Sequence, residues 1–259
     1  MGTAQVQGEL WGARAEDWLR QEAAWREVYQ TVLRQAGVGA GMQLLDIGCG
    51  AGGALVVGRS LGAEVTGLDA SQALAAVARE RLAGARIEVG EMEELPFDDE
   101  TFDVVSGINS FQFAGDTVRA LAQARRVCKR GGTVMMLVWG RREACELVSG
   151  TMAAVFALLP PAPSGAAPPA FAQPGVIEGL MAKAGLAPTA DGEFACALAF
   201  PDAGAAVRAV MSAAARAIRH AGEDAVRDAI VGTLPRFTRP GGEVVWNNRF
   251  RWVAATPRA

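Results

Sequence analysis

The chain has a single histidine, His220, and a single tyrosine, Tyr29. Its four cysteines, Cys49, Cys128, Cys145 and Cys196, lie far apart and never in a Cys-x-x-Cys pair. A zinc site would need clustered soft or imidazole ligands, so no metal is expected. A disulfide framework is equally unsupported, and a reducing cytoplasm is the expected location. No run of Lys or Arg exceeds two residues, and the net charge is −3. Nucleic-acid substrates call for a basic patch, so none is expected as a partner. The N-terminus starts polar, without the apolar core of a secretory leader. The most apolar stretch, Met152 to Leu159, is too short to span a bilayer, and no membrane association is expected.

What is present is apolar. Of 259 residues, 51% are hydrophobic and 20% charged, enough to bury a sizeable core in one globular unit. Helical periodicity runs from Ala13 to Gln35 and stops at Gly37 and Gly39. Strands and helices then alternate. Met42–Ile47 reads as a strand, Ala54–Leu61 as a helix, Glu64–Leu68 as a strand, and Ser71 as the N-cap of a helix to Leu82. Arg86–Val89 and Phe102–Ile108 read as strands, Thr117–Cys128 as a helix, and Thr133–Trp139 as a fifth strand after a Gly131-Gly132 turn. Strands separated by helices imply a doubly wound, mostly parallel α/β sheet.

The C-terminal half has a different texture. Six of the twelve prolines fall between Pro160 and Pro174 and mark a loop. Val176–Ala184 reads as a helix capped by Gly185, Phe194–Phe200 as a strand, Ala205–His220 and Glu223–Leu234 as helices, and Val244–Ala254 as the last strand.

The chemistry concentrates in Asp46-Ile47-Gly48-Cys49-Gly50-Ala51-Gly52-Gly53, between the first strand and its helix. Gly48, Gly50 and Gly53 satisfy a dinucleotide-type spacing, so a nicotinamide oxidoreductase is one reading. Asp46 argues against it. A carboxylate two residues before the first glycine repels a pyrophosphate at the helix N-terminus but attracts a cation. No Tyr-x-x-x-Lys pair accompanies the loop either.

The loop resembles the D-x-G-x-G-x-G loop of class I S-adenosylmethionine-dependent methyltransferases, in particular the ubiquinone/menaquinone-biosynthesis-like small-molecule group. The resemblance is good from Trp11 to about Gly140. It implies a Rossmann-like sheet of seven strands, the last-position strand antiparallel. It also implies that Asp46, Gly48, Cys49, Gly50 and Gly52 hold the methionine part of the cofactor, and that Asp69, followed by Ala70, takes the ribose hydroxyls. Gly90-Glu91-Met92-Glu93-Glu94-Leu95-Pro96-Phe97 is similar to the family's G-D-A-E-x-L-P-F. It implies that Glu91, where Asp is commoner, meets the adenine amino group and that Met92 packs on the ring. Asn109, past the fourth strand, completes the set.

Substrate-wall candidates are Trp11 and Tyr29 on the N-terminal helix, Gln112 and Phe113 after the fourth strand, and Trp139 after the fifth. Trp18 and Trp25 read mainly as packing residues. His220, Tyr29 and Gln112 are the weak candidates for a catalytic role, and His220 reads more simply as a solvated helix end. The domain expectation is one unit, 1–259: an N-terminal helical segment over 1–40, a cofactor core over 41–140, and lid or cap insertions over 141–187 and 201–240. The functional expectation is methyl transfer from S-adenosylmethionine, leaving S-adenosylhomocysteine, to a small, largely apolar molecule, with oxygen favoured as acceptor. A pericyclic or decarboxylative step steered by the same cofactor is the alternative. Either a monomer or a homodimer fits.

Overall fold

The computed structural model describes residues 2–160 and 171–258. Helices α1 (Ala4–Gly12), α2 (Ala15–Gln21) and α3 (Arg26–Gln35) precede β1 (Gln43–Ile47). Then come α4 (Gly53–Ser60), β2 (Glu64–Asp69), α5 (Gln72–Arg81), β3 (Arg86–Val89), β4 (Phe102–Ile108), α6 (Thr117–Val127) and β5 (Cys128–Trp139). After a π turn come α7 (Ala153–Phe156), α8 (Val176–Lys183), β6 (Leu186–Phe200), α9 (Ala203–Ser212), α10 (Ala215–Ala221), α11 (Glu223–Val231) and β7 (Val244–Pro257).

The seven strands form one sheet in the order β3-β2-β1-β4-β5-β7-β6. The first five are mutually parallel, while β7 runs antiparallel to both β5 and β6. This is the Rossmann-like topology expected from the sequence, closed by the expected antiparallel pair. Strands β1 and β4 are covered on both faces, which is why they read as apolar runs. Leu44 and Leu45 are both fully buried on opposite faces, one in the core under α3 and α4, the other in the core under α6 and α8. Chain order reverses between β1 and β4, and a crevice opens there at the strands' C-terminal ends.

Caps fix where helices begin. The Ser71 hydroxyl accepts from the Leu74 amide at 3.2 Å, as the sequence predicted, and Asp116 and Asp202 do the same for α6 and α9. Gly131 and Gly132 lie in an irregular stretch of β5: Phe102 pairs with Cys128 but Val104 with Thr133, so the intervening residues loop out.

Two helix expectations are corrected. The run from Ala13 to Gln35 is not one helix. It is preceded by α1, and a 3-10 turn at Glu22–Trp25 separates α2 from α3. A Cβ on Gly8 would lie 2.3 Å from the Ala70 carbonyl oxygen and one on Gly12 2.4 Å from the Ser71 hydroxyl, so bare glycines let α1 lie directly on the loop after β2. The run from Ala205 to His220 is also broken, between α9 and α10. At the break the Ser212 hydroxyl donates back to the Ala209 carbonyl at 2.7 Å, in competition with the helix ladder.

Candidate active site

A cavity of about 550 Å³ opens over the C-terminal ends of β1 to β5. Its floor is the loop after β1. There Gly48 has φ +74°, and a Cβ on it would lie 2.4 Å from Ser110 Cβ, so only a bare glycine lets the β1 and β4 loops close against each other. Asp69 ends β2 and lines the cavity. Its two oxygens accept from the Gly50 amide at 2.8 Å and the Ser71 amide at 2.7 Å, which ties the glycine loop to the neighbouring strand end. Each oxygen keeps a lone pair for a ligand.

Beneath the loop the acids gather. Asp46 is buried and accepts from the Ser106 hydroxyl at 2.7 Å. Burial, with Asp69 and Glu22 adding repulsion, pushes its carboxyl up to about 7. Glu22 is buried against Arg81, and burial raises its pKa although Arg81 pulls the other way. Asp69 is raised by burial as well, in spite of its two amide bonds. Three carboxylates thus gather at a buried floor, and among the described residues only Arg81 pairs with any of them. Such a site lacks positive charge.

The far wall is apolar. Trp139 packs edge-on against Trp25 at 5.3 Å, and Leu147, Met152, Leu198 and Trp246 extend the surface. Helix α1 roofs the other end, pinned by the Ala4 amide donating to Glu91 at 2.9 Å and the Thr3 hydroxyl donating to the Phe113 carbonyl at 2.7 Å. Trp11 stands edge-on to Trp18 and Phe113, at 5.3 and 5.2 Å.

Most sequence candidates converge here. Gly48, Gly50, Asp69, Ala70, Glu91, Met92 and Asn109 line the cavity, and so do Trp11, Tyr29, Gln112, Phe113 and Trp139. Asp46, Cys49 and Gly52 do not. Asp46 lies under the loop, the buried Cys49 thiol packs beside Gly67, and Gly52 packs on Leu82 and Ala78, turning the chain into α4. His220 is exposed on α10, outside the wall. Of the lid or cap insertion expected over 141–187, Met152 and Phe156 line the cavity, while 161–170 lie outside the described residues.

Unpaired polar atoms mark the wall further. Trp25 Nε1, Asn109 Nδ2, Ser110 Oγ and Gln112 Oε1 are buried without a partner, and all four residues line the cavity. Asn109 sits at φ +53°, a backbone region that asparagine tolerates, which turns the chain over the crevice. Buried polar atoms are normally paired, and these four are left open on the cavity.

Several wall and floor residues carry little signal in the sequence. Gln21 and Ser212 meet across α2 and α9, Glu22 pairs with Arg81 across 59 residues, and Arg216 comes from α10. Only Gln21 carried a signal, as a polar residue in phase with Trp18, Trp25 and Tyr29.

Comparison with known proteins agrees with this geometry. Residues 45–136 match the methyltransferase domain family model. Over 123 residues the chain is 34% identical to the demethylmenaquinone methyltransferase of Staphylococcus aureus, covering 45% of this chain and 50% of that protein. Over 110 residues it is 34% identical to the malonyl-[acyl-carrier protein] O-methyltransferase of Serratia marcescens, covering 42% and 43%. The chain therefore spans about half the length, or less, of these curated relatives. Among solved structures, the [4+2]-cyclase SpnF shares the fold with a TM-score of 0.58 at 20% identity, over 90% of this chain and 82% of that one. Strand order, the acid-backed glycine loop and the matched segment agree: residues 45–136 match the methyltransferase domain family model and lie on a Rossmann-like sheet.

Proposed function

We propose that this chain binds S-adenosylmethionine across the ends of β1 to β4 and methylates a small, largely apolar molecule held against the aromatic wall, oxygen being the favoured acceptor atom. The observation that carries this is the buried acid cluster Asp46, Asp69 and Glu22 under a glycine loop, with Arg81 alone among the described residues to offset it. A pyrophosphate would be repelled there, while a sulfonium and an ammonium are attracted.

The residues present fit that group. Asp69 offers lone pairs for ribose hydroxyls, Met92 an apolar contact for a ring, and Ser110 and Asn109 unpaired polar atoms for an amino-acid end. Asp46 acts through the field of its charge from below the loop. When bound, S-adenosylmethionine supplies an electrophilic methyl group on a good neutral leaving group. The protein's share is then alignment and exclusion of water. The titratable side chains of the wall are Asp69, Glu91, Tyr29 and Arg216. Tyr29 stays a neutral phenol, because burial, with Glu22 and Asp46 nearby, raises its pKa well above the ordinary tyrosine value.

Among the described residues no helix is long and apolar enough to cross a membrane, and the proposed partner is a small molecule. Titration calorimetry with S-adenosylmethionine and S-adenosylhomocysteine tests the cofactor assignment, and absence of heat with both refutes it. Product mass separates methylation, which adds one CH2, from a pericyclic step that leaves the mass unchanged.

A further inference from the structure

The sheet has two edges, and they are built differently. Edge strand β3 is four residues long and carries Arg86 and Glu88, so shortness and charge discourage pairing with another chain. Edge strand β6 is 15 residues long. Its first half is guarded by Pro188, a register shift between Pro188 and Ala190, and the charges of Asp191 and Glu193. Its second half, Phe194-Ala195-Cys196-Ala197-Leu198-Ala199-Phe200, has no charge, no proline and no register shift. The hydrogen bonds of β7 show which way this half faces its backbone. The Val245 amide donates to the Phe237 carbonyl at 2.9 Å, and the Arg249 carbonyl accepts from the Gly140 amide at 2.7 Å, so odd-numbered residues of β7 point away from β6. The even-numbered ones therefore bond Phe194, Cys196, Leu198 and Phe200. That leaves the N–H and C=O of Ala195, Ala197 and Ala199 directed outward. No other strand among the described residues takes them, and the Ala197 carbonyl meets only the Cys196 thiol, at 3.7 Å.

Helix α3 runs beside this edge. Glu27, Gln30, Thr31 and Arg34 share an open groove with Ala197 and Ala199, and their spacing puts them in one stripe along the helix. Glu27 stands beside the Cys196 thiol, which sets the stripe against the middle of the strand. Glu27 and Arg34 are exposed and belong to no ion pair among the described residues. Both surfaces are self-complementary. The outward alanines are symmetric about Ala197. Turned end for end, Ala197 meets Ala197 of a second copy and Ala195 meets its Ala199, each pair exchanging two hydrogen bonds. The helix stripe has the same property. Its centre lies between Gln30 and Thr31, and reversed against itself it sets Glu27 opposite Arg34. An unrelated partner would need a bare strand and the mirrored order of charges, whereas a second copy has both by symmetry.

We propose that the Phe194–Phe200 edge of β6, with the α3 stripe beside it, joins two copies of this chain about a two-fold axis into one continuous sheet. This goes beyond the methyltransferase reading and does not depend on it. Sedimentation velocity of the full chain over a concentration series is the test, and we expect the parent to be dimeric in the micromolar range. Ala197→Pro is the sharpest variant. The Ala197 amide faces outward, so proline there leaves the β6–β7 ladder whole and deletes two bonds across the axis. It should weaken the dimer about a hundredfold. Circular dichroism like that of the parent shows that the variant folds. Glu27→Arg and Arg34→Glu should each weaken the dimer about tenfold at low salt, and the double variant should recover to within about threefold of the parent. If Ala197→Pro fails to fold, the charge set decides alone. A parent that is monomeric at every concentration, a dimer that survives Ala197→Pro, or a double variant no tighter than the singles each overturns the proposal.

Discussion

The hydroxyl of Ser106 on β4 donates to the carboxylate of Asp46 on β1 at 2.7 Å, from the strand paired directly beside it. The two residues are in register, both are buried, and no Lys or Arg among the described residues pairs with Asp46. One neutral hydrogen bond does not offset burial of a carboxylate, so the site is held short of positive charge at a cost in stability.

Asp46→Asn is expected to separate stability from function. The amide oxygen can still accept from Ser106, and the buried charge is gone. Without ligand the variant should be more stable at pH 8 by about 1–2 kcal/mol, seen as a rise of a few degrees in Tm. Its affinity for S-adenosylmethionine should fall by about tenfold or more, since a charge-assisted contribution is lost. Calorimetry and thermal unfolding measure the two sides, and a variant that binds as well as the parent would remove Asp46 from the site.

The pH dependence has a definite sign. The Asp46 carboxyl lies near 7 in the folded chain, against 3.8 when free, so between those values the folded state holds a proton that the unfolded state has lost. Its contribution to stability therefore falls as pH rises from about 4 to 7 and is level above. The Tm difference between Asp46→Asn and the parent should widen across that window. Binding of a cation favours the ionised form, so at pH 6 to 7 S-adenosylmethionine should bind with proton release, measurable in buffers of different ionisation heat.

Two glycines with the same backbone angle should respond differently to alanine. Gly48 and Gly37 have φ +74° and +78°, but a Cβ meets Ser110 at 2.4 Å in the first case and nothing within 4 Å in the second. Gly37→Ala should cost about 1 kcal/mol and leave cofactor affinity intact. Gly48→Ala should cost more, about 2–3 kcal/mol, and abolish S-adenosylhomocysteine binding, because the β1 and β4 loops must move apart.

Helix propensity and packing predict opposite outcomes at Gly8. Alanine in mid-helix is worth about 1 kcal/mol over glycine. The methyl group, however, would stand 2.3 Å from the Ala70 carbonyl oxygen. Gly8→Ala should therefore lift α1 off the β2 loop and raise amide hydrogen exchange over residues 4–12 with little change elsewhere. Protection equal to that of the parent would show that contact with Ala70 does not hold the roof in place.

Much of the core was legible in the sequence. Arg86–Val89 and Phe102–Ile108 match β3 and β4 residue for residue, and Ser71 caps α5 as read. Asp46 stands out in the sequence beside its glycine loop, and the family resemblance adds Asp69 and Glu91; Asp69 and Glu91 line the cavity and Asp46 is buried under the loop. The breaks at Glu22–Trp25 and Ala213–Ala214 were not found, because both belong to runs with unbroken helical periodicity.

The sequence by itself determined the sheet, its glycine loop and the acids at the strand ends, since these depend on residues near one another in the chain. Only the tertiary structure decided what surrounds them. It set Glu22 on Arg81, Gln21 on Ser212, and Trp25 beside Trp139, pairs separated by 59, 191 and 114 residues along the chain. Such contacts arise from helix packing over the crevice, and no local pattern specifies which distant side chain a buried polar atom will meet. The glycine loop is thus a local feature of the chain, and the wall above it is a product of packing.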